Sequence, residues 1–340
     1  MGAPRNRTIT NLVRIPWELR GEDVPVTSRF VQVGGVRVRV LEQGRGEPVL
    51  FIHGVGGWAE HWKGVLPAVA GAGFRAIAFD LPGFGHSSPP RQVRYLDPPD
   101  PYYARFVREL VEALGLDQVN VVGHSLGGAI AAVTAMCFPE IVRRLVLVAP
   151  GGFGQTVTPR LRLCCLPLFA QAARVVPGAV LRRFVRGDFH DPARAPEWFY
   201  ADALKYCRAG AAAEVGRVMS QLVTLRGPRH SLRRAWLRRA ADIPCPTLVL
   251  WGRQDQTVPI ASGKFFRRIA NARSEIIDDA GHLVMLEQPA VLQERLVSFL
   301  KARARLPRPA ALTALRSPAP GPRPLTGTPR VESRGRGTAR

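Results

Sequence analysis

Residues 123–127, with the sequence GHSLG, combine a hydroxyl group with flanking glycines in a pattern suited to covalent chemistry. They directly follow an apolar run, QVNVV, and directly precede an alanine-rich run, GAIAAVTAM. This context predicts a strand, a tight turn and a helix, and such a turn exposes a serine hydroxyl while its glycines avoid steric collision. The first N–H groups of the helix would face developing negative charge. We therefore predict that Ser125 is a nucleophile.

Five segments resemble the α/β-hydrolase family in their order along the chain, especially the branch of that family that carries an inserted cap. The resemblance covers about residues 30–302. It implies an α/β fold with a mostly parallel central sheet flanked by helices, and hydrolysis by a serine, a histidine and a carboxylate. The segments are FIHGVGG (51–57), FDLPGFGHS (79–87), VVGHSLGG (121–128), LVLWGRQDQTVP (248–259) and DAGHLVMLEQP (279–289).

A serine nucleophile needs an imidazole that accepts its proton and returns it to the leaving group. Of the seven histidines, His282 follows Gly281 in a loop after an apolar run, where the family places its base. We therefore predict that His282 is the base. The other six, expected in solvated, loop or sheet-rim positions, are His190, His230, His61, His86, His53 and His124.

The imidazole in turn needs a carboxylate that holds it in the useful tautomer. Asp255 follows the run TLVLWG, at the position where the family carries its acid, and it gives the chain order nucleophile, acid, base. Asp80 is its main competitor, and Asp278-Asp279 is close to the histidine in sequence. The family's other acid position reads APGG here, at 149–152, and has no carboxylate.

Two backbone N–H groups are expected to stabilise the oxyanion that forms during acyl transfer, because preorganised donors lower the energy of that charge. One is the N–H of Leu126, the residue after the nucleophile. By resemblance the other comes from the loop 53–57, from Val55.

Apolar runs of strand length alternate with helix-length stretches from Phe30 onward, which is typical of a parallel sheet covered by helices. An antiparallel hairpin is predicted from Phe30–Val33 and Val36–Glu42. Five runs without alternation predict strands buried on both faces. They are VLFI (49–52), AIAF (76–79), VNVV (119–122), LVLV (145–148) and TLVL (247–250).

About ninety residues without a buried-strand run separate the sixth strand from the seventh, which is too long for an ordinary connection. This stretch contains amphipathic segments of helical length, and we predict a helical cap inserted after the sixth strand. The predicted organisation is an N-terminal extension (1–28), a hydrolase core (29–150 and 242–302), the cap or lid (151–241), and a disordered basic tail rich in Arg, Pro and Gly (303–340).

The formal net charge of +22 raises nucleic acid or an anionic membrane as a partner. Residues 151–241 hold 16 basic and 5 acidic residues, or +11, and residues 301–340 hold 10 basic and 1 acidic, or +9. Because the excess lies in an insertion and a tail, we expect a small-molecule acyl substrate and no specific nucleic acid. The basic insertion favours an acidic or amphiphilic substrate, although arginine-rich faces are commonly just solvated.

The five cysteines, without CxxC spacing, indicate reduced thiols, and the sequence suggests no cofactor or metal. No apolar run has the length of a signal peptide or of an uninterrupted membrane span, so we expect no transmembrane segment and a cytoplasmic location.

The motifs favour a serine esterase that cleaves a carboxylic ester or related acyl bond through an acyl-enzyme. Some relatives use the same triad to cut carbon-carbon bonds or act as cofactor-free haloperoxidases, and the sequence does not separate these activities. A non-catalytic binding or receptor protein on a hydrolase scaffold is a further alternative, against which the intact triad counts.

Overall fold

Strands and helices alternate along most of the chain. The computed structural model describes residues 13–14, 26–91, 93–96 and 101–302, and all structural statements concern these ranges. The strands are β1 (Val13–Arg14), β2 (Thr27–Val33), β3 (Val36–Gln43), β4 (Glu47–Ile52), β5 (Phe74–Phe79), β6 (Val119–His124), β7 (Val142–Val148), β8 (Val223–Thr224), β9 (Gly227–Pro228), β10 (Thr247–Gly252) and β11 (Ala272–Ile277). The helices are α1 (Leu66–Gly71), α2 (Tyr102–Ala113), α3 (Leu126–Cys137), α4 (Pro159–Leu163), α5 (Phe169–Val175), α6 (Gly178–Arg186), α7 (Glu197–Tyr206), α8 (Ala212–Leu222), α9 (His230–Arg239), α10 (Val284–Glu287) and α11 (Pro289–Lys301).

Nine of the described strands form one sheet in the order β1-β2-β3-β5-β4-β6-β7-β10-β11. The pairs from β1 to β5 are antiparallel, and the pairs from β5 to β11 are parallel. The predicted hairpin is present, with Val33 opposite Val36 across Gly34-Gly35. The mostly parallel sheet flanked by helices is therefore confirmed, and its six parallel strands all end at one edge.

Helices cover both faces of this sheet. Apolar side chains of α2 and α3 pack on one face, and those of α1 and α11 pack on the other. The strand β6 contributes to the apolar clusters on both faces, since Val121 belongs to the cluster with α2 and α3 and Val122 to the cluster with α1 and α11. Each such side chain stabilises the fold by about 1.5–3 kcal/mol when fully buried, which makes the edge above β6 a rigid platform.

The five predicted buried strands are present as β4, β5, β6, β7 and β10, each longer than its apolar run. The short strand β1 was not predicted. Because β1 comes first in the numbering, the sixth predicted strand is β7. β11 was not predicted as a strand either, although it pairs with β10 along its whole length. Its residues ARSEII are mainly exposed or half-buried, as suits the outermost strand of a sheet.

The segment between β7 and β10 is mainly helical and contains α4 to α9, together with the two-residue hairpin β8-β9. The predicted amphipathic segments of helical length are present as helices, and α7 and α8 are two of them. A kink at Gly210 separates them, where φ is 124°. The exact borders of the inserted cap, 151 and 241, stay a prediction.

Two predicted regions lie largely or wholly outside the described residues. In the N-terminal extension, β1 pairs with β2, and the rest of residues 1–25 is not described. The basic tail, 303–340, lies outside altogether. In the described part of the chain, no helix has both the length and the apolarity required to cross a bilayer.

Candidate active site

Ser125 occupies the sharp turn between β6 and α3, with φ 53° and ψ −116°. This left-handed conformation is strained for a residue with a side chain, and such strain is concentrated at functional turns. The flanking glycines make the turn possible. A Cβ atom on Gly123 would lie 2.2 Å from the carbonyl oxygen of Gly127, and one on Gly127 would lie 2.3 Å from that of Ile52.

The backbone around Ser125 is fixed by hydrogen bonds. Its N–H donates to the carbonyl oxygen of Val148 at 3.0 Å, and its own carbonyl oxygen accepts from the N–H groups of Ala129 and Gly151. The side chain is buried, with 8% of the residue exposed. The hydroxyl is thus held on a rigid support at the carboxyl edge of the sheet.

The loop after β4 lies against the serine. A Cβ atom on Gly54 would lie 3.1 Å from the Cβ of Ser125 and 3.0 Å from His124 Nδ1, so a side chain here would require these neighbours to shift by a few tenths of an ångström. His53 braces the loop, because its Nδ1 donates to the carbonyl oxygen of Gly54 at 2.7 Å and its Nε2 accepts from the N–H of Leu81 at 2.9 Å. Val55 and Leu126, the predicted oxyanion donors, both line a cavity next to Ser125.

The structure brings Asp255 and His282 together across 27 residues of sequence. His282 Nδ1 lies 2.8 Å from Asp255 Oδ2, and both side chains are buried. The other carboxylate oxygen of Asp255 accepts the N–H groups of Thr257 and Val258, each at 2.9 Å. These bonds fix the carboxylate, so the imidazole is held with its Nδ1 directed at Asp255.

The backbone of His282 is held on both sides. Its N–H donates to the carbonyl oxygen of Asp188, in the segment after α6, at 2.8 Å. Its carbonyl oxygen accepts a hydrogen bond from His124 Nε2 at 2.9 Å. The histidine loop therefore connects His124, the residue before Ser125, with the segment after α6.

Glu287 reinforces this bridge from α10. One carboxylate oxygen accepts the N–H groups of His190 and Asp191 at 2.8 and 2.9 Å, and the other accepts that of Gly281 at 2.7 Å. Burial raises the pKa of Glu287, although these three backbone donors act in the opposite direction. Sequence reasoning missed this role, and the only available signal was the place of Glu287 within the segment 279–289.

Two opposing influences act on the pKa of His282. Burial lowers it, while the adjacent Asp255 carboxylate raises it, and the net result lies above the ordinary value of 6.5. The other histidines near the serine behave differently. Burial lowers the pKa of His53 to about 4 and that of His124 well below its ordinary range, so both are neutral. Among them, only His282 contacts a carboxylate suited to support a proton acceptor.

The competing carboxylates are engaged elsewhere. Asp80 accepts the N–H groups of Ala59 and His86, each at 2.8 Å, and lies 3.6 Å from Arg39. Asp278 is exposed and paired with Arg253, and Asp279 is exposed with φ 52°. Within the described residues, none of these carboxylates forms a hydrogen bond with the imidazole of His282.

The other histidines lie mainly where they were expected. His190 and His230 are exposed. His61 differs from the prediction, because it lies in the 3-10 turn Ala59–Trp62 and is buried. Its environment depends on side chains distant in sequence, such as Phe199, which local pattern does not reveal.

Two cavities adjoin Ser125. The small cavity has a volume of about 70 Å³, and its wall includes Leu126, Gly152, Arg233 and Trp236. The large cavity has a volume of about 340 Å³ and lies beneath α5, α6 and α8. His282 lines only the large cavity, whereas Ser125 and Val55 line both.

In the described residues, no cluster of three or more His, Cys, Asp or Glu side chains is arranged to hold a metal ion. The described cysteines are free thiols, with Cys164 and Cys245 buried and the other three half-buried.

Comparison with known proteins identifies relatives of this chain. A relative from Cupriavidus necator, the dihydrolipoyllysine-residue acetyltransferase component of an acetoin cleaving system, is 33% identical over 268 residues, covering 78% of this chain and 67% of the relative. The 2-hydroxy-6-oxo-6-(2'-aminophenyl)hexa-2,4-dienoic acid hydrolase of Metapseudomonas resinovorans is 30% identical over 288 residues, covering 83% and 94%. The crystal structure of a serine hydrolase involved in carbazole degradation, CarC, superposes with a TM-score of 0.62 at 26% identity, covering 82% and 100%.

The sequence profile of the alpha/beta hydrolase fold matches residues 47–289, which is more than half of the chain. This match includes the turn at Ser125, the acid position and the histidine loop. The chain therefore belongs to the α/β-hydrolase family, whose fold and hydrolase character it shares.

Proposed function

We propose that this protein is a serine esterase in which Ser125 is the nucleophile, His282 the general base and acid, and Asp255 the carboxylate that orients the imidazole. One observation carries the proposal: a buried histidine, held by a buried aspartate at 2.8 Å, lines the same cavity as a serine in a strained turn. This combination of groups is what acyl transfer to a serine requires.

In the proposed reaction, His282 Nε2 accepts the proton of the Ser125 hydroxyl as Oγ attacks the ester carbonyl carbon. The resulting oxyanion is stabilised by the N–H groups of Val55 and Leu126, and donors of this kind each contribute about 3–4 kcal/mol in analogous sites. The protonated imidazole then gives its proton to the leaving alcohol. Water, deprotonated by His282, releases the acid from the acyl-enzyme.

The two cavities assign the two halves of the ester. The leaving oxygen must lie close to His282, because that residue protonates it. Since His282 lines only the large cavity, the alcohol occupies the large cavity and the acyl group occupies the small one. The walls of the large cavity include Phe169, Val180 and Phe184, which favour an apolar alcohol.

The helices α5, α6 and α8 form part of the wall of the large cavity, so we propose that residues 151–241 act as a lid over the site. The pairs that hold the segment to the core include Asp188 with His282 and His190 with Glu287. A lid of this kind excludes water from the acyl-enzyme and strengthens polar interactions within the site.

Hydrolysis of a carbon-carbon bond is a second candidate, because a hydrolase of a hexadienoic acid is 30% identical along 94% of its length. The same nucleophile, base and oxyanion donors would serve both reactions. A direct comparison of ester hydrolysis with cleavage of a 2-hydroxy-6-oxo-hexadienoate distinguishes the two.

Labelling with a fluorophosphonate probe, followed by hydrolysis of p-nitrophenyl acetate and butyrate, tests the proposal. Wild type should be labelled at Ser125 and be active, and Ser125→Ala should lose both properties. Ser298→Ala, on the exposed side of α11, serves as the matched control and should retain both. Labelling at another residue, or equal rates for wild type and Ser125→Ala, would disprove the assignment.

A further inference from the structure

The large cavity next to Ser125 is lined mainly by apolar side chains, and its wall also includes Trp58, His61 and His124. These three side chains, here called the polar wall, are buried, with 1%, 5% and 2% of each residue exposed. They come from the loop after β4 and from the end of β6. The rest of the wall is mainly aliphatic and aromatic, and its other polar side chains are those of Ser125, His282, Asp188, Thr257 and two cysteines.

The nitrogens of the polar wall lack protein partners among the described residues. Neither ring nitrogen of His61 makes a hydrogen bond, nor does Trp58 Nε1 or His124 Nδ1. His124 Nε2 donates to the carbonyl oxygen of His282, which leaves a lone pair on Nδ1. Most buried polar groups have a partner, and the other unpartnered buried side-chain atoms of the described residues belong to side chains that do not line this cavity. The four atoms of the polar wall are therefore the ones that a ligand in the cavity could pair.

Packing, rather than hydrogen bonding, holds the His61 ring in place. Its centroid lies 4.4 Å from that of Trp58 and 5.4 Å from that of Phe199. Its edge from Cε1 to Nδ1 lies against Gly57, where a Cβ atom would approach these two atoms to 2.9 and 3.0 Å, so Nε2 is the freer of the two ring nitrogens. The ring is therefore fixed before any ligand arrives, which lowers the cost of binding.

The charge state of His61 restricts the ligand. Burial lowers the pKa of His61 to about 3, and the neighbouring His53 acts in the same direction. The imidazole is therefore neutral near pH 7 and offers one donor and one acceptor. The two nitrogens point to opposite sides of the ring, so one ligand group can use only one of them, together with a neighbouring side chain. Trp58 Nε1 can only donate, and His124 Nδ1 can only accept. A hydroxyl group, which both donates and accepts, matches this wall, whereas a carboxylate has no proton to donate.

We propose that the polar wall binds a neutral hydroxyl group beside Ser125, with His61 as its main partner. The inference rests on the proposed esterase function for the position of the site. The hydroxyl has two sources in such a reaction: a second hydroxyl on the leaving alcohol, or the water that attacks the acyl-enzyme. Both occupy the side of the serine that His282 faces.

The first experiment compares octyl acetate with 3-hydroxyoctyl acetate, in wild type, His61→Phe and His61→Gln. His61→Phe keeps a ring but has no hydrogen-bonding atom, and His61→Gln retains a donor and an acceptor. If the alcohol supplies the hydroxyl, His61→Phe should lower kcat/KM for the hydroxylated ester alone by about twofold to tenfold, the range of one neutral hydrogen bond. His61→Gln should restore part of this preference, and thermal unfolding should verify that both variants fold.

The second experiment follows the burst of p-nitrophenolate from p-nitrophenyl acetate. If water supplies the hydroxyl, His61→Phe should leave the burst rate unchanged and slow the steady state by a similar factor, since deacylation alone uses water. Unchanged kinetics in both experiments, for folded variants, would refute the polar wall as a hydroxyl site.

A binding measurement separates this inference from the esterase proposal. Octane-1,3-diol and octan-1-ol are titrated calorimetrically into Ser125→Ala and into Ser125→Ala with His61→Phe. If a substrate hydroxyl binds here, the diol should bind more tightly than the alcohol, and His61→Phe should abolish that preference even in a protein that hydrolyses no ester. Equal affinities would contradict the alcohol as the source of the hydroxyl.

Discussion

The interaction between His282 and Asp255 determines how activity should depend on pH. The imidazole must be neutral to accept the proton of Ser125, and its pKa lies above 6.5 because the aspartate outweighs burial. We therefore expect kcat/KM to rise with pH through an apparent pKa above 6.5, with low activity below it.

Removing the charge of Asp255 should lower this pKa and disorient the imidazole. For Asp255→Asn we expect kcat/KM to fall by about 10⁴-fold, as for comparable triads, and the rising limb to move to lower pH. Stopped-flow and steady-state profiles from pH 5 to 9 measure both effects. Asp278→Asn, at an exposed carboxylate, is the control, and an equal loss in that variant would contradict the assignment of the acid.

Individual residues differ in how far the sequence alone could predict them. The motifs predict Ser125, His282 and Asp255 as site residues, and the structure places the latter two within hydrogen-bonding distance of each other. The roles of Asp188 and Glu287 could not be predicted, because each acts through contacts about 90 or more residues away in sequence. Likewise, the unpaired nitrogens of His61 became visible only once its neighbours were known.

At the level of elements, the loop between β11 and α10 is tied to the inserted segment by Glu287. Its three backbone hydrogen bonds are charge-assisted and stronger than neutral ones. In Glu287→Gln, an NH₂ group replaces a carboxylate oxygen that accepts a hydrogen bond from a backbone N–H. We expect the free energy of unfolding to fall by about 2 kcal/mol, together with a lower kcat, because the His282 loop loosens.

Urea unfolding and ester hydrolysis measure the two effects of this substitution. Glu294→Gln provides the matched control on α11, where the side chain of Glu294 is 70% exposed. An unchanged stability of Glu287→Gln would show that the tie contributes little.

Element types were predictable where burial on both faces leaves a continuous apolar run, as in β6 and β7. β11 escaped prediction because an edge strand needs only part of its side chains to be apolar, and Arg273, Ser274 and Glu275 obscured the pattern. The kink at Gly210 was also hidden, since glycine within a helical pattern is compatible with several conformations.

For the molecule as a whole, the two cavities predict opposite responses to the two halves of an ester. Lengthening the alcohol from ethyl to octyl acetate should raise kcat/KM by up to about fourfold per methylene, from about 0.8 kcal/mol per buried CH₂. Lengthening the acyl group in ethyl esters should lower kcat/KM after a few added methylenes, because the small cavity has a volume of about 70 Å³. Rates for the two series measure this preference.

A matched pair of variants on α7 tests which cavity is responsible. Ala203 lines the large cavity, and Ala201 on the same helix is exposed. Ala203→Phe should remove the increase in kcat/KM with alcohol length, and Ala201→Phe should retain that increase. If kcat/KM rose with the length of the acyl group instead, the acyl group would belong in the large cavity and the alcohol in the small one.

The general architecture was predictable from the order of apolar runs, because a parallel sheet buries its strands so completely. The path of the chain between β7 and β10 was not, since amphipathic helices fit many arrangements over one sheet edge. Arg182 and Arg217 of this segment pair with Glu197 and Glu214, so part of its positive charge is locally balanced.

The hydrogen bond from the His282 backbone to Asp188 limits how a substrate can reach the serine. If all the helices between β7 and β10 swung outward as one body, the imidazole would be dragged from its aspartate, and the enzyme would be switched off whenever it was open. Entry without this penalty requires the stretch around Asp188 to stay in place as a pivot while helices farther from it move. The opening for the substrate and the hinge at Asp188 would then lie on opposite sides of the helices between β7 and β10.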